Sequence, residues 1–225
     1  MKSKLLLALL LVSSTWAWDE FTVIEPKAIS FNVAAYKPLS ESGEAAPRIG
    51  AKVGLITGLD IEYKQAFYIQ SSPRGIERPN LALKYSLPML EGASLLAGVS
   101  LPFGTEAVAS NHGTTGVELA GLYNFPFLGA DANAFVTYRA DVDALSEGVG
   151  ELYLDPTWKL RGRLSFYQAT DLSWGKGGDP MLGLWPGLDY GLGESSGICA
   201  DLDFDIALNS GNTDIGVSAS LYTTF

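Results

Sequence analysis

The amino-acid sequence predicts an all-β protein, a transmembrane antiparallel up-and-down β-barrel of about 12 strands. Three observations predict this class: short runs in which apolar and polar residues alternate, connections that are alternately short and long, and aromatic residues at the run ends. The mean hydropathy is +0.16 and 47% of the residues are hydrophobic, yet the formal net charge is −10. An acidic chain this apolar either encloses a large core or presents apolar side chains to something other than water.

The first residues predict a secretory signal peptide, because Lys2 and Lys4 precede a short apolar run that ends at Val12. We expect residues 1–17 to be removed and residues 18–225 to form one outer-membrane barrel domain. The apolar run is shorter than the roughly 18 residues that a membrane-spanning helix needs. Without the two leader lysines, 13 basic residues oppose 25 acidic ones, a balance that excludes a nucleic-acid partner.

Twelve alternating runs are separated by Gly, Pro, Asn, Asp and Ser residues. Connections after even-numbered runs are mostly short, as at 57–58, whereas most of those after odd-numbered runs are longer and polar, as at 104–113. Outer-membrane barrels have this asymmetry and an even number of strands. If one run has been divided wrongly, the barrel has ten or fourteen strands instead of twelve. The runs are 28–36, 48–56, 59–69, 78–87, 92–103, 114–123, 130–138, 150–159, 162–174, 181–190, 197–208 and 213–225.

Charged residues within the runs lie on the face opposite the Leu, Ile, Val and Phe side chains. In the eleventh run, for example, Asp201, Asp203 and Asp205 alternate with Leu202 and Phe204. A water-soluble barrel or sandwich buries its apolar face, whereas a membrane barrel turns that face to lipid and the polar face to the lumen. In the membrane interpretation, the predicted pore-lining residues are Asp60, Glu62, Lys64, Lys84, Glu118, Glu151, Asp155, Arg163, Asp201, Asp203 and Asp205.

The positions of the aromatic residues favour the membrane barrel over a lipocalin-like barrel or a β-sandwich. On the apolar face, even-numbered runs from the fourth onward end in an aromatic residue, and several odd-numbered runs carry one near the opposite end. Two aromatic belts, one at each membrane interface, are typical of outer-membrane barrels. The two sets are Tyr85, Tyr123, Trp158, Tyr190 and Phe225, and Phe67, Phe103, Tyr138 and Trp174.

The three alternating aspartates invite comparison with a calcium-binding EF-hand loop, but the sequence excludes it. The sixth position of such a loop would be Ile206 instead of Gly, and the twelfth would be Asn212 instead of Glu. On a strand the three carboxylates lie about 6–7 Å apart, so they need basic partners. They form either a structural charge ladder or a polar pore lining, and the candidate partners are Lys52, Lys64, Lys84, Lys159 and Arg163.

No cofactor, metal site or catalytic residue is predicted. The single histidine, His112, lies in the loop ASNHGTT, and a hydrolase would need it paired with a residue such as Ser110 or Glu106. A solvated loop histidine is the preferred interpretation. The single cysteine, Cys199, is expected to be an inert interior thiol.

Three segments resemble known families. GLITGLDIEY and RPNLALKYSLPMLEGASLLAGVSLPFGTEA, within residues 48–140, resemble the MetA-like outer-membrane barrels of the phenol-degradation meta-pathway type. This resemblance implies a barrel that transports small, often aromatic, compounds. The C-terminal segment DIGVSASLYTTF resembles the last strand of outer-membrane proteins, and implies recognition of Phe225 by the barrel-assembly machinery.

The leading functional hypothesis is a passive channel or transporter for small molecules with an acidic lumen. The alternatives are a sealed structural or adhesive barrel that displays loops such as 37–47 and 104–113, and an outer-membrane hydrolase. Twelve strands lie between about eight, which side chains fill, and about sixteen, which leave an aqueous channel. The expected partners are outer-membrane lipid, the assembly machinery and an unidentified solute. Whether residues 18–27 fold into the lumen is left open.

Overall fold

The computed structural model describes residues 23–39, 46–68, 74–106 and 113–225. These residues form one antiparallel sheet of twelve long strands in which each strand pairs with the next and the last pairs with the first. The sheet is therefore a closed barrel, and the predicted strand number is confirmed. The strands are β1 (Ile29–Pro38), β2 (Ala46–Ile56), β3 (Leu59–Tyr68), β4 (Asn80–Ser86), β5 (Ala93–Ser100), β6 (Gly116–Phe127), β7 (Ala130–Asp141), β8 (Val149–Arg161), β9 (Leu164–Gly175), β10 (Met181–Gly191), β11 (Ser196–Ala207) and β12 (Thr213–Thr224).

Two small elements interrupt this regular pattern. A two-residue strand, Gly75–Ile76, pairs with the end of β3 ahead of β4. The amide of Gln65 donates a hydrogen bond of 2.6 Å to the Glu77 carbonyl oxygen, next to the break between this short strand and β4. A 3-10 helix, Val142–Glu147, connects β7 to β8. Within the described residues, no helix is long and apolar enough to cross a bilayer.

The two ends of the barrel differ in their connections, as predicted. At one end, here named the short-turn end, two residues suffice to join β2 to β3, β6 to β7 and β8 to β9. Gly58, Gly129 and Gly162 adopt positive φ values of 79°, 77° and 61° in these turns, a conformation that costs glycine little. At the other end, here named the loop end, the connections are longer.

The apolar face of the strands lies on the outside of the barrel. Side chains of β1 alternate strictly between exposed and buried, and the exposed ones include Phe31 and Val33. Leu, Ile and Val side chains on the outer faces of the other strands continue this exposed apolar surface around the barrel. Such a surface far exceeds the apolar patch of a soluble monomer, and lipid is the environment that suits it. The belt residues Tyr85, Tyr123, Tyr190, Phe225, Phe103, Tyr138 and Trp174 are exposed, and Trp158 and Phe67 are partly exposed.

The barrel closes where the C-terminal residue meets β1. Ile29 N–H donates to the Phe225 carbonyl oxygen over 3.1 Å, and Phe225 N–H donates back over 2.8 Å. The Phe225 ring packs edge-on against Phe31 on the outer surface, with ring centroids 6.5 Å apart. Tyr222 points into the barrel, where its hydroxyl donates to Asp189 over 3.1 Å. The two aromatic residues therefore lie on opposite faces of the barrel wall, and the outward position of Phe225 agrees with the sequence analysis.

Candidate functional site in the barrel interior

The barrel interior receives nearly all of the charged side chains that the sequence analysis selected. Arg163 differs from the others because it lies in the two-residue turn between β8 and β9, where it is exposed and donates a hydrogen bond to the Leu192 carbonyl oxygen. The other ten lie on the inward faces of strands and are buried or half-buried: Asp60, Glu62, Lys64, Lys84, Glu118, Glu151, Asp155, Asp201, Asp203 and Asp205.

Three lysines converge on one carboxylate in the wall formed by β2, β3 and β4. The Glu62 Oε1 atom lies 2.5 Å from Lys84 Nζ and 3.6 Å from Lys52 Nζ, and its Oε2 atom lies 3.7 Å from Lys64 Nζ. Lys52 and Lys84 have no exposed surface. Register explains the cluster, because Lys52 lies directly across from Glu62 on β2, and Lys84 lies across from the adjacent Asp60 on β4. We name this cluster the lysine wall.

A second ion-paired cluster spans β6, β7 and β8 nearer the loop end. Arg139 Nε donates to Glu118 over 3.0 Å, and Arg139 Nη2 donates to Glu151 over 2.6 Å. One guanidinium therefore links three adjacent strands. The fork of a guanidinium suits this role because its donors point in two directions at once.

The aspartate row on β11 is stabilised mainly by neutral donors. Asp201 accepts a hydrogen bond of 2.5 Å from the Tyr167 hydroxyl and another from the Ser218 hydroxyl. Asp205 accepts a bond of 3.1 Å from the Trp185 indole N–H. These bonds join β11 to β9, β10 and β12. We name this group of strands and its row the aspartate wall.

A cation from β2 also contributes to the environment of the row. Arg48 is buried and interacts electrostatically with Asp203, the middle residue of the row. Asp203 is 1% exposed. The lysines and Arg163 were the partners predicted for the row from the sequence, and Arg48 was not among them. Three of the predicted partners, Lys52, Lys64 and Lys84, surround Glu62 instead.

Aromatic side chains fill the inner surface between the two walls. Phe135 and Tyr153 stack with ring centroids 4.6 Å apart, and Tyr153 lies 6.3 Å from Trp185. These rings belong to a buried cluster that runs along the interior from β4 to β12. Two of the aromatic rings lie against inward-facing glycines: a Cβ atom at Gly183 would collide with Trp185, and one at Gly187 would collide with Tyr167.

The sequence analysis did not select these interior aromatic residues, although one signal was available. Tyr153 lies on the same face as Glu151 and Asp155, and Trp185 shares a face with Asp189. Parity therefore placed them inside. Their role in packing depends on contacts between strands, which a single run does not show.

The remaining chemistry-bearing residues do not form a separate centre in the described part of the chain. Cys199 is buried, and its thiol donates to Asp189 over 3.1 Å. No group of three or more His, Cys, Asp or Glu side chains is placed to hold a metal ion among the described residues. His112 lies outside the described residues, so its predicted environment is not tested.

With this geometry, the chain is a twelve-stranded outer-membrane β-barrel with an apolar outer surface and a charged interior. No protein-family model matches it. A comparison with curated proteins also finds no match.

Three solved outer-membrane barrels are similar to this chain. An outer-membrane channel from Pseudomonas putida F1 matches with a TM-score of 0.62 at 12% identity, over 92% of this chain and 98% of that chain. The KdgM porin matches with a TM-score of 0.60 at 13% identity, over 87% and 99%. The CymD monoaromatic hydrocarbon channel matches with a TM-score of 0.55 at 9% identity, over 90% and 89%. At these identities the likeness establishes the fold alone, which this chain shares with these outer-membrane barrels.

Proposed function

We propose that this protein is a passive outer-membrane channel for small polar solutes, with a preference for cations. The observation that carries the proposal is the charge of the interior. Among the described strand residues that face inward and are not exposed, the bases are Arg48, Lys52, Lys64, Lys84 and Arg139. The corresponding acids are Asp60, Glu62, Glu118, Asp141, Glu151, Asp155, Asp171, Asp189, Asp201, Asp203 and Asp205.

This excess of carboxylates has a direct consequence for permeation. Rings and rows of acidic side chains in a pore attract cations and repel anions, because the field is concentrated between walls of low dielectric. The lysine wall neutralises part of this charge, but its three ammonium groups share Glu62 and lie beside Asp60. The hydrogen-bond donors to Asp201 and Asp205 are neutral groups, so these bonds add no positive charge to the aspartate wall.

The similar structures support a small-molecule cargo, because one is named as a porin and another as a monoaromatic hydrocarbon channel. The MetA-like resemblance of residues 48–140 points the same way. We therefore propose that the protein is a MetA-like transporter and that its solutes are small and compact. Its pore lining comprises the ten inward-facing residues of the sequence-based set.

The proposal includes the route by which the barrel reaches the membrane. Residues 1–17 act as the cleaved signal peptide, and the barrel-assembly machinery recognises the last strand through Phe225. The position of this residue supports the second step, because its ring lies on the outer surface at the edge of β12. With short turns on the periplasmic side, as in other outer-membrane barrels, Phe225 belongs to the periplasmic aromatic belt.

Planar-bilayer recording with the purified barrel tests the channel function. We expect discrete conductance steps with a reversal potential that indicates cation preference. The triple substitution Asp201→Asn, Asp203→Asn and Asp205→Asn should reduce that preference, because it removes the interior row without changing side-chain size. The matched control neutralises three exposed acids outside the strands, Asp143, Glu147 and Glu194, and should leave the reversal potential nearly unchanged.

A sealed structural barrel is the second candidate, and the burial of the interior favours it. Trp185, Lys52, Lys84 and Glu62 are among the largest fully buried side chains. Interior side chains packed this closely would brace the barrel without leaving a path. Barrels that insert fully but show no conductance steps would select this candidate and overturn the channel.

A further inference from the structure

The segment that precedes β1 turns back into the barrel at the short-turn end. The carbonyl oxygen of Glu25 accepts a hydrogen bond of 3.0 Å from Ala28 N–H, and Lys27 adopts a φ of 69°. Two backbone bonds fix this turn to β2: Lys27 N–H donates to the Gly54 carbonyl oxygen over 2.9 Å, and Gly54 N–H donates to the Ala28 carbonyl oxygen over 3.0 Å. The chain before the turn therefore lies beside the inner surface of β2.

Gly54 is the residue that makes room for this segment. It shares the inward face of β2 with Lys52, and a Cβ atom at this position would overlap the Glu25 carbonyl group and lie 3.1 Å from the Ile24 carbonyl oxygen. The clash would be with backbone, which cannot rotate away as a flexible side chain can. A larger residue at position 54 would therefore displace Ile24 and Glu25 from the wall.

A buried carboxylate holds the other end of the segment. Ile24 N–H donates a hydrogen bond of 3.1 Å to Asp60 Oδ2. Asp60 is fully buried and lies directly across from Gly54 on β2 and from Lys84 on β4. The segment thus has a hinge fixed by two backbone bonds and a contact at its other end that depends on one side chain.

We propose that residues 23–26 form a strap that narrows the short-turn mouth of the channel and is latched by Asp60. This inference rests on the proposed function, since a strap has a role only where solute passes. Breaking the bond from Ile24 N–H to Asp60 removes the hydrogen bond that the described structure gives to the end of the strap, while the turn at Lys27 keeps its backbone bonds to β2. The strap is therefore built to move as a unit between a latched and a released position.

Single-channel recording of two variants tests the strap. Gly54→Ala should displace the strap and raise the ratio of open to closed time about tenfold or more, the factor expected for losing a hydrogen bond to a charged group. The control is Gly191→Ala, an inward-facing glycine near the same end whose added Cβ would meet its nearest atom at an ordinary 3.7 Å. If Gly54→Ala does not fold, Asp60→Ala replaces it, because alanine has no side-chain acceptor for the Ile24 N–H.

A labelling experiment separates failure of the strap from failure of the channel. Ile24→Cys, in a Cys199→Ser background, is treated with a charged maleimide added at the short-turn side, with and without Gly54→Ala. Faster labelling with Gly54→Ala than with Gly191→Ala supports the strap, even when every variant is electrically silent. Equal labelling rates overturn it. If no variant shows conductance steps, the proposed channel is overturned. The labelling rates then decide whether the strap exists.

Discussion

On one side of the barrel interior, Lys52, Lys64 and Lys84 surround the single carboxylate of Glu62, whereas on the other side Asp201 and Asp205 accept hydrogen bonds from hydroxyl and indole groups. Both walls bury charge, but by different means. The lysine wall depends on opposite charges, so removal of Glu62 leaves an excess of positive charge beside Asp60. In the aspartate wall, Asp201 accepts from two neutral donors, so loss of one donor leaves the other in place.

The largest expected effect comes from Glu62→Gln. Removing one partner of a buried ion pair costs about 3–5 kcal/mol, because an uncompensated charge stays in a site of low dielectric. The free energy of unfolding, measured by urea titration of the barrel in lipid vesicles, should fall by that amount. Cation preference should also decrease, since one negative charge is removed from the interior.

The matched control for Glu62→Gln is Glu118→Gln. Arg139 keeps its 2.6 Å contact with Glu151 after that substitution, so the remaining charges stay paired. We expect a loss well below that of Glu62→Gln. Equal decreases in the free energy of unfolding for the two variants would show that the sharing of Glu62 by three lysines adds nothing to stability.

An intermediate effect is expected from Tyr167→Phe in the aspartate wall. The substitution removes the donor that lies 2.5 Å from Asp201, keeps the donor from Ser218, and leaves the ring in place over Gly187. A hydrogen bond to a charged group contributes about 1.5–3 kcal/mol, and the same urea titration should show a loss in this range. Tyr190→Phe, on the outer surface, provides the comparison. A loss as large as that of Glu62→Gln would remove the distinction between the walls.

The smallest effect is expected outside the barrel, at a carboxylate held in the same way by neutral donors but exposed to water. Asp179 accepts bonds of 2.8 and 3.0 Å from the backbone N–H groups of Asn209 and Ser210, which link two connections at the loop end. Desolvation acts in the opposite direction, but these bonds prevail and hold the pKa of Asp179 below its ordinary value. The contribution of Asp179 to stability is therefore fully present above about pH 4, the ordinary aspartate pKa.

That contribution should be lost as the pH falls through the lowered pKa of the folded state. Hydrogen exchange of the Asn209 and Ser210 amides, corrected for the intrinsic pH dependence of exchange, should accelerate in that range. Asp179→Asn should abolish the pH dependence, because the amide does not titrate there. Protection that stays constant to the lowest pH at which the barrel is folded would contradict this assignment.

The barrel was accessible from the sequence because its strongest signals are local. Alternation within each run fixes which side chains face lipid, and connection length fixes which end of a strand carries a short turn. In the eleventh run, the parity of Asp201 and Leu202 already placed one inside and the other outside. These features depend on neighbours within a few residues, so the predicted strand boundaries lie close to the observed ones.

The pairing of interior side chains was not accessible in the same way. Asp201 meets Tyr167 and Ser218 because three strands have a particular register, and no single run encodes that register. Arg163 shows that parity can also mislead. It continues the alternation of its run, which predicted an inward position, but it lies in a turn. Local pattern therefore identifies the candidates for the interior, and packing between strands selects their partners.

The seam between β1 and β12 sets the order in which the barrel can assemble. The other pairings join strands that follow one another in the chain, so each can form as a hairpin. Ser30 and Thr224, which pair across the seam, are 194 residues apart. Closing a loop of that length costs roughly 3 kcal/mol more than closing one of hairpin size, so the seam carries the slowest, most non-local contacts. Until it forms, the sheet has two open edges that must be kept from pairing with other chains.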